Sequence, residues 1–429
     1  MTDRDDRLFP NAGDDTTRTV GLSRRHLLSG SAAAGAVGAA GCLGGDGADS
    51  TTTETPAPGT TGEPTVFVFN TGDRTVSLID PREPAVLGSR ELGVTASFPS
   101  NQFTPSLTTA REDPLWLNVG QGVRAFAAGS LAEQATVETG SGANWLEQTP
   151  DGENLVVSAR EPAHRQFRID ADPASETFGE VTAEIDRTPE GGRGNNDGPG
   201  PCDVTIHPDG AYAYVPDLYG DTLTVLDVEA FEVETQITVD PVGDGPAAPW
   251  MGTAAWDGET LLVEHNEGAE GTESVWDVSD PAAPRERARL TAEDGLGSGP
   301  LTSEIGPDSS VGYVFTPGTE DVTLIDLEAG SVLDRLDLGG QAFVGTWGPD
   351  RQRLFVPVQT ANEVAVVDHE QRAITHRLSV GPKPYGATAG TVRPPLEGGT
   401  EERLARLRAA TDETGTTYCI GNCACGHEL

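Results

Sequence analysis

A unit of about 40 residues repeats through the middle of this 429-residue chain and limits the folds that the chain can adopt. Two copies begin at Pro201 and Gly340, and each contains four short segments in which apolar and polar residues alternate. A Pro-Asp turn separates the first two segments, and the third segment ends in aspartate. Alternation with a period of two is typical of β-strands. The sequence therefore predicts repeated four-stranded antiparallel sheets.

The aspartate that ends the third strand sets the period of the repeat. It recurs at Asp80, Asp170, Asp227, Asp277, Asp326 and Asp368. Neighbouring aspartates are about 42 to 58 residues apart, and this spacing matches the period of a four-stranded propeller blade. The interval between Asp80 and Asp170 is longer and fits two such units. We interpret these aspartates and the Pro-Asp turns as structural rather than catalytic, because an aspartate in a turn can hydrogen-bond its own backbone.

The repeat resembles the YVTN-type β-propeller family. The resemblance rests on Pro208-Asp209-Gly210, Tyr214-Val215-Pro216-Asp217, Thr224-Val225-Leu226-Asp227 and Val380-Gly381-Pro382. It is best over about 199–240 and 299–390, and poor over 93–140 and 172–198. The resemblance implies an all-β propeller over residues 65–395. Counting units gives seven blades, with six or eight as alternatives because the poorly matching region is ambiguous.

We expect the propeller to close by pairing the two ends of the repeat region. Residues 385–389 look like the innermost strand of a blade whose other three strands come from residues 65–92. Such closure leaves no open sheet edge. After the propeller, residues 401–411 have the apolar spacing of a short helix, so residues 396–429 are predicted to form a short helix and a Cys/His-rich tail.

The first 42 residues have the pattern of an export signal. Arg24 and Arg25 precede a weakly apolar run over 27–41, and the pair resembles a twin-arginine signal. The run is shorter than the roughly 20 apolar residues that a bilayer requires. Ala39-Ala40-Gly41-Cys42 resembles a lipobox, which implies lipidation at Cys42; ordinary cleavage after Gly41 is the alternative. Residues 43–64 are a Gly/Ser/Thr/Pro-rich tether, so we expect a lipid-anchored domain on the outer face of the cytoplasmic membrane.

The chain carries a formal net charge of -40, and its basic residues are almost all arginine, with Lys383 the exception. Such a surface is typical of a halophilic protein, because molar salt shortens the Debye length to about 3 Å and screens repulsion among carboxylates. The ordered alternation of Val, Ile and Leu excludes an acidic disordered protein. The same charge excludes nucleic acid as a partner.

The last eleven residues concentrate soft metal ligands: Cys419, Cys423, Cys425 and His427. The spacing lacks the C-x-x-C-H pattern of covalent haem. Three thiolates and an imidazole on a short glycine-bearing loop suit copper(I) or zinc. Two alternatives remain open: disulfides among Cys202 and the three tail cysteines, and a redox-active or reactive thiol.

Part of the tail also resembles a known copper loop. Cys419, Cys423 and His427 match the C-x3-C-x3-H portion of the binuclear copper (CuA) loop of nitrous-oxide reductase and cytochrome oxidase. The methionine that follows the histidine in that loop is missing, no cupredoxin domain accompanies it, and Cys425 is extra. The resemblance implies only that such a loop can hold copper.

Two functions remain open at the level of sequence. The first is a binding scaffold with a metal-binding tail, whose propeller face takes a protein or small-molecule ligand. The second is a lyase or oxidoreductase that uses the central channel. The HxxEH, HExxH and Gly-x-Ser-x-Gly patterns and a GxGxxG on a strand-to-helix turn do not occur, but His164 and His265 fall near strand ends that could face the channel. A channel lined by several His, Glu or Arg side chains would favour the enzyme, whereas Val, Ser and Gly would favour the scaffold.

Overall fold

The computed structural model describes residues 62–97, 99, 101–141 and 145–396. They form seven antiparallel sheets, six with four strands and one with three. In six of the sheets neighbouring strands are consecutive in the chain, and in the remaining sheet the last described strand pairs with the first. This confirms the predicted seven-bladed β-propeller and excludes six or eight blades. The predicted signal, the lipidation site, nearly all of the tether, the C-terminal helix and the Cys/His tail lie outside the described residues.

The blades are numbered along the chain. Blade 1 contains β1 (Thr65–Asn70), β2 (Thr75–Asp80), β3 (Ala85–Glu91) and β27 (Pro384–Gly390), and blade 2 contains β4 (Pro114–Val119), β5 (Gly122–Ala127) and β6 (Glu133–Glu138). Blade 3 contains β7 (Trp145–Gln148), β8 (Asn154–Ala159), β9 (Arg165–Asp170) and β10 (Val181–Asp186), and blade 4 contains β11 (Thr205–Ile206), β12 (Tyr212–Asp217), β13 (Thr222–Asp227) and β14 (Glu232–Thr238). Blade 5 contains β15 (Pro249–Ala254), β16 (Thr260–His265), β17 (Thr272–Asp277) and β18 (Arg285–Leu290), and blade 6 contains β19 (Thr302–Ile305), β20 (Val311–Thr316), β21 (Asp321–Asp326) and β22 (Ser331–Asp337). Blade 7 contains β23 (Thr346–Trp347), β24 (Arg353–Val358), β25 (Glu363–Asp368) and β26 (Ala373–Ser379).

The described helices are short. One α-helix, α1, spans Thr104–Leu107, and three 3₁₀ turns span Thr188–Glu190, Ala292–Asp294 and Gln359–Ala361. No helix among the described residues is long and apolar enough to cross a membrane. Regular structure in the described part of the chain is therefore almost entirely β.

The two ends of the repeat region pair in blade 1. Strand β27 pairs antiparallel with β1, with Thr65 opposite Gly390 and Phe69 opposite Gly386. The last strand thus supplies the innermost position of the first blade, as the sequence predicted. This pairing closes the ring and removes the exposed edges that an open array would leave.

Apolar side chains fill the interfaces between blades. In β16, Leu261 packs with residues of blade 4, whereas Leu262 packs with Ile305 and Val314 of blade 6. Successive side chains of a strand point to opposite sheet faces. The middle strands therefore bury both faces, and a polar side chain there must find a partner inside the protein.

The strand-ending aspartates have the structural role that was predicted for them. Each accepts a hydrogen bond from a backbone N–H two or three residues later; the donors are Arg82, Asp172, Ala230, Ser279, Ala329 and Gln371. The aspartates of the first turns make similar bonds, for example Asp209 with the N–H of Ala211 at 2.8 Å. These carboxylates stabilise the turns at the blade rim.

Blade 2 departs from the regular pattern at its innermost position. In place of an innermost strand, the described residues there make a single bridge between Pro99 and Leu117. The chain then enters α1 instead of the short turn that joins the first two strands elsewhere. This irregularity explains why the repeat matches poorly over 93–140.

Candidate functional site: the central channel

Three carboxylates lie on the innermost segments of the blades. They are Glu147 in β7, Asp203 just before β11 and Glu304 in β19, and all three are buried. Sequence analysis missed them, although a charged residue within a segment expected to be an innermost strand was an available signal. Several Glu side chains at the channel were the feature expected to favour an enzyme. The groups that these carboxylates contact show whether they are available to a substrate or hold the blades together.

Two of the three carboxylates join their innermost segment to the next blade. Glu147 accepts a hydrogen bond from the backbone N–H of Ile206 in blade 4 at 3.1 Å. Asp203 accepts one from the N–H of Gly252 in blade 5 at 2.7 Å. In these contacts a buried acceptor of one blade takes a donor of the next, so both carboxylates hold the channel wall together.

Threonine hydroxyls continue this pattern around the channel. Thr253 of blade 5 donates to the carbonyl oxygen of Ser303 in blade 6 at 2.9 Å. Thr302 then donates to the carbonyl oxygen of Phe343, next to blade 7, at 2.6 Å. Side chain-to-backbone bonds of this kind satisfy polar groups that the short innermost strands leave without sheet partners.

Residues 101–107, here called the plug, fill one end of the channel. Asn101 donates through Nδ2 to Glu304 and to the carbonyl oxygen of Gly345, the latter at 2.8 Å. Gln102 donates through Nε2 to the carbonyl oxygen of Ala254 at 2.8 Å, and its N–H donates to Glu147 at 3.1 Å. Two consecutive residues therefore contact blades 3, 5 and 6 and the segment next to blade 7.

The outer end of the plug packs against the turns that follow the innermost strands. The rings of Phe103 and Trp256 meet edge to face with centroids 5.9 Å apart. The guanidinium of Arg351 lies 3.8 Å from the centroid of the Trp256 ring, and it donates to Ser106 at 2.9 Å. These contacts hold the plug against the turns of blades 5 and 7.

Burial raises the pKa of all three channel carboxyls. Desolvation raises the pKa of Glu147 to about 8, against the lowering effect of the N–H donors of Ile206 and Gln102. Desolvation also raises the pKa of Asp203 and Glu304 well above the usual range, and the nearby charge of Glu147 adds to both. Carboxyls of this kind can hold a proton at neutral pH, as general acids do.

In addition to these three carboxyls, a pair of carboxyls lies within blade 5. Glu264 in β16 lies directly opposite Glu273 in β17, and both side chains are fully buried. The oxygens of Glu273 have no hydrogen-bond donor among the described residues, whereas Glu264 has the hydroxyl of Ser303 nearby. Desolvation raises the pKa of both, and the mutual repulsion of the two groups raises that of Glu273 further. Two adjacent buried carboxyls favour a shared proton.

The other end of the channel carries Cys202. Its Sγ lies 3.7 Å from Nη1 of Arg160 and 4.0 Å from Sδ of Met251. Arg160 also pairs with Glu161 and faces the ring of Tyr219 with its guanidinium 5.9 Å from the centroid. Cys202 is packed within a core cluster of the innermost segments, as expected for a small apolar filler.

The two histidines that were expected near the channel have other partners. His265 contacts the carbonyl oxygen of Ala247 through Nδ1 at 3.2 Å and Ser274 Oγ through Nε2 at 2.7 Å. Burial holds its pKa well below the usual value. His164 accepts from the N–H of Gly200 at 3.3 Å, and burial lowers its pKa as well. Both imidazoles are held by backbone or hydroxyl groups, which gives them structural roles.

The predicted metal ligands Cys419, Cys423, Cys425 and His427, the lipidation site Cys42, and the signal residues Arg24 and Arg25 all lie outside the described residues. Within the described ranges, no group of three or more His, Cys, Asp or Glu side chains has the arrangement of a metal site.

Comparison with known proteins supports the fold. No family model matches the sequence, and no curated protein matches it. Among solved structures, the periplasmic gluconolactonase PpgL of Pseudomonas aeruginosa is similar, with a TM-score of 0.59, 16% identity, and coverage of 76% of this chain and 98% of that one. A putative 6-phosphogluconolactonase from Bacteroides fragilis has a TM-score of 0.59 at 16% identity, covering 78% of this chain and 99% of that one.

A further similar structure belongs to a different kind of protein. Hydrazine synthase of Kuenenia stuttgartiensis has a TM-score of 0.56 at 16% identity, and the match covers 74% of this chain and 98% of that one. Proteins named for different activities thus share this fold with the chain. The likeness shows that the chain is a seven-bladed β-propeller whose neighbours include 6-phosphogluconolactonase-like proteins.

Proposed function

We propose that the chain is an exported, lipid-anchored β-propeller scaffold that carries copper or zinc on its C-terminal tail. The proposal rests on the contacts of the channel carboxylates. Glu147, Asp203 and Glu304 accept hydrogen bonds from neighbouring blades or from the plug. Polar groups committed to holding the wall are not free to bind a substrate. The soft ligands of the sequence lie instead in the tail, at Cys419, Cys423, Cys425 and His427.

Truncation of the tail tests the metal-binding function. Reduced full-length protein should bind copper(I) or zinc stoichiometrically, and deletion of residues 419–429 should abolish this binding because it removes four soft ligands. The melting temperature of the propeller is the control and should change little. Equal metal content in both forms would refute the metal-binding tail and favour its alternative, a tail fixed by disulfides.

Fractionation tests the anchor. Cys42→Ser removes the proposed lipid attachment site and should move the protein from the membrane fraction into the medium, with Arg24-Arg25→Lys-Lys as a separate test of the export signal. A single acyl chain anchors weakly, so stable retention requires a two-chain lipid or a second membrane contact. Unchanged partition of the Cys42 variant would exclude the anchor.

The acidic surface supports a halophilic setting for this scaffold. With a net charge of -40, lowering salt from molar to about 0.1 M lengthens the Debye length to about 10 Å and increases repulsion among carboxylates. The melting temperature should fall with the salt concentration. A melting temperature that does not depend on salt would contradict this setting.

A channel enzyme is the second candidate, and the raised pKa values of the channel carboxyls are the observation in its favour. Glu147, with a pKa raised to about 8, has the protonation state of a general acid at neutral pH. Two solved structures of similar fold are named as lactonases, so hydrolysis of sugar lactones is the first activity to assay. Hydrolysis that Glu147→Gln abolishes while the fold persists would favour the enzyme over the scaffold.

A further inference from the structure

Two buried glutamates of blade 5 point towards blade 6. Leu262 in β16 packs against residues of blade 6, and Glu264 follows it by two residues, so the two side chains share a sheet face. Glu273 in β17 lies directly opposite Glu264 and therefore lies on that face as well. Both glutamates are 0% exposed. Two carboxyl groups are thus enclosed between these blades.

A third oxygen-bearing side chain comes from blade 6. Ser303 in β19 is 4% exposed, and its hydroxyl lies beside the carboxylate of Glu264. The two carboxylates and the hydroxyl supply five oxygens. Among the described residues, none of the five receives a hydrogen bond from a charged side chain, and the two oxygens of Glu273 have no donor at all. Because buried polar atoms are normally paired, these oxygens point to a missing partner.

The charged groups around the pair do not balance it. Arg289 is the basic residue that acts on Glu273, but its guanidinium is bonded to Glu267 at 3.0 Å and to Glu286 at 2.9 Å. A further acidic group, Asp203, lies nearby. Burying two carboxylates without a counter-charge is strongly unfavourable, so the pair requires either protons or a metal cation.

The oxygen donors and their spacing suit calcium. Ca²⁺ takes about six to eight oxygen ligands at about 2.3–2.6 Å and accepts bidentate carboxylates. Carboxylate oxygens on opposite sides of one ion are therefore about 4.6–5.2 Å apart. This is close to the separation of about 4.5–5.5 Å between the Cβ atoms of directly opposed residues in an antiparallel pair. Mg²⁺ usually keeps several waters, which a fully buried pair disfavours.

We propose that Glu264, Glu273 and Ser303 form a calcium site between blades 5 and 6. The two carboxylates balance the charge of the ion, and the hydroxyl adds a fifth oxygen. Any proton that the carboxyls carry is released to solvent on binding, and the oxidation state of the ion does not change. The bound ion ties β16 and β17 of blade 5 to β19 of blade 6.

This calcium site is separate from the copper or zinc proposed for the tail, because it uses none of the tail's ligands. It contains two carboxylates and one hydroxyl. It therefore differs from sites built from three or more His, Cys, Asp or Glu side chains, none of which occurs among the described residues.

Protons alone are the competing explanation of the pair. Burial raises the pKa of both carboxyls, so without an ion the pair can share one proton or carry two. A cation at this position reverses that preference, because its charge stabilises the carboxylates. The two explanations differ in what the chain binds: protons alone predict no calcium at the pair, whereas the calcium site predicts one tightly bound ion per chain.

The test measures calcium binding by the full-length chain. The protein is freed of metal with EDTA and then dialysed to equilibrium against CaCl₂ at pH 8 in about 2 M NaCl, which screens weak binding by surface carboxylates. Glu273→Gln keeps the shape of the side chain and should lower the affinity at least tenfold, because losing even an outer contact of a metal site typically costs about 10- to 100-fold. Ser303→Ala should lower it severalfold. Glu234→Gln, at an exposed position of β14, removes the same charge and is the matched control, whose affinity should equal that of the wild type.

Thermal unfolding provides a second readout. Calcium at a hundred times its Kd should raise the Tm of the wild type by about 4 °C, and Glu273→Gln should show no such rise. If the wild type binds no more calcium than Glu273→Gln and melts at the same temperature with and without it, the inference is wrong and the pair holds protons. Should Glu273→Gln not fold, Ser303→Ala decides by the same two measurements, and an unchanged affinity there overturns the site. Deletion of residues 419–429 should leave calcium binding intact, so the outcome does not depend on the metal-binding tail.

Discussion

Blades 4 and 2 differ in the structure of the innermost segment that each places at the channel. Blade 4 follows the repeat closely: its innermost strand β11 turns through Pro208-Asp209 into β12, and Asp209 holds the turn. Blade 2 has one bridge at Pro99 where that strand would lie, and it sends the plug across the channel. The innermost strand of blade 4 pairs within its own sheet and makes one further backbone bond, to Glu147 of blade 3, whereas the plug of blade 2 sends the side chains of Asn101 and Gln102 to blades 5 and 6. The irregular blade therefore depends on several neighbours at once.

The largest effect is expected from the buried ion pair that supports blade 4. Nη2 of Arg187 lies 2.9 Å from Oδ2 of Asp217, and both side chains are 0% exposed. Arg187→Met leaves the carboxylate buried without its cation and should lower the free energy of unfolding by about 3–5 kcal/mol. Urea denaturation measures this.

The half-exposed pair between Arg193 and Asp221 serves as the control. Arg193→Met should cost less than about 1 kcal/mol, because solvent screens the pair. Equal losses in the two variants would show that burial does not set the contribution of these ion pairs, and that blade 4 has no special dependence on Arg187.

The plug should be the next most sensitive region. Asn101→Ala removes the donor to Glu304 and to the carbonyl oxygen of Gly345, and both acceptors stay buried. Unsatisfied buried acceptors cost about 1–3 kcal/mol, and calorimetry or urea denaturation should detect a loss in that range. Ser106→Ala, at the outer end of the plug, should have a smaller effect. If Asn101→Ala is neutral, the plug fills the channel without holding the blades.

The pH dependence tests the residue that joins the two regions, since Glu147 accepts from Gln102 of the plug and Ile206 of blade 4. Its pKa is raised to about 8 in the folded chain. The native state therefore keeps a proton that the unfolded state loses from about pH 4.5 upward, and stability falls by up to about 1.4 kcal/mol per pH unit until pH passes about 8. The contribution of the Glu147 proton to the free energy of unfolding is therefore complete only below about pH 4.5.

The variant Glu147→Gln should flatten this dependence between pH 5.5 and 8.5, as followed by urea midpoints. Asp203 and Glu304, whose pKa values are also raised, act in the same direction and remain in the variant, so part of the slope should persist. Glu232→Gln, at an exposed end of β14, is the matched control. An unchanged slope in Glu147→Gln would mean that Glu147 is ionised throughout this range.

The smallest effect is expected at the regular turn of blade 4. Nδ1 of His207 accepts from the N–H of Asp209 at 3.3 Å, and its Nε2 contacts the carbonyl oxygen of Gly258 at 3.1 Å. A serine hydroxyl can take over the bond to Asp209, so His207→Ser should change the free energy of unfolding by no more than about 1 kcal/mol. A loss as large as that of Asn101→Ala would remove the contrast between the two blades.

The comparison also explains which parts of the molecule were predictable. Asp227 and Pro208-Asp209 act through bonds to residues close in sequence, so their local pattern identified the strands, the turns and the closure through residues 385–389. Glu147 and Asn101 act through partners in other blades. Their spacing carries no signal of those partners, and the plug and the channel carboxylates could be found only in three dimensions. The proximity of Met251 to Cys202 was hidden for the same reason.

Closure through β27 and β1 also decides how the molecule bears tension. Thr65, where the first strand begins, lies opposite Gly390, where the last strand ends, so both chain ends leave the ring at the same end of one antiparallel pair. A pull that separates the ends would load the bonds of Arg393 to Pro64 and Thr65 first, then the Thr65–Gly390 contact, and would break the remaining contacts one after another, as a zipper opens. Sequential rupture needs far less force than shearing a whole ladder at once. Blade 1 is thus the mechanical weak point of a ring that has no free edge at rest.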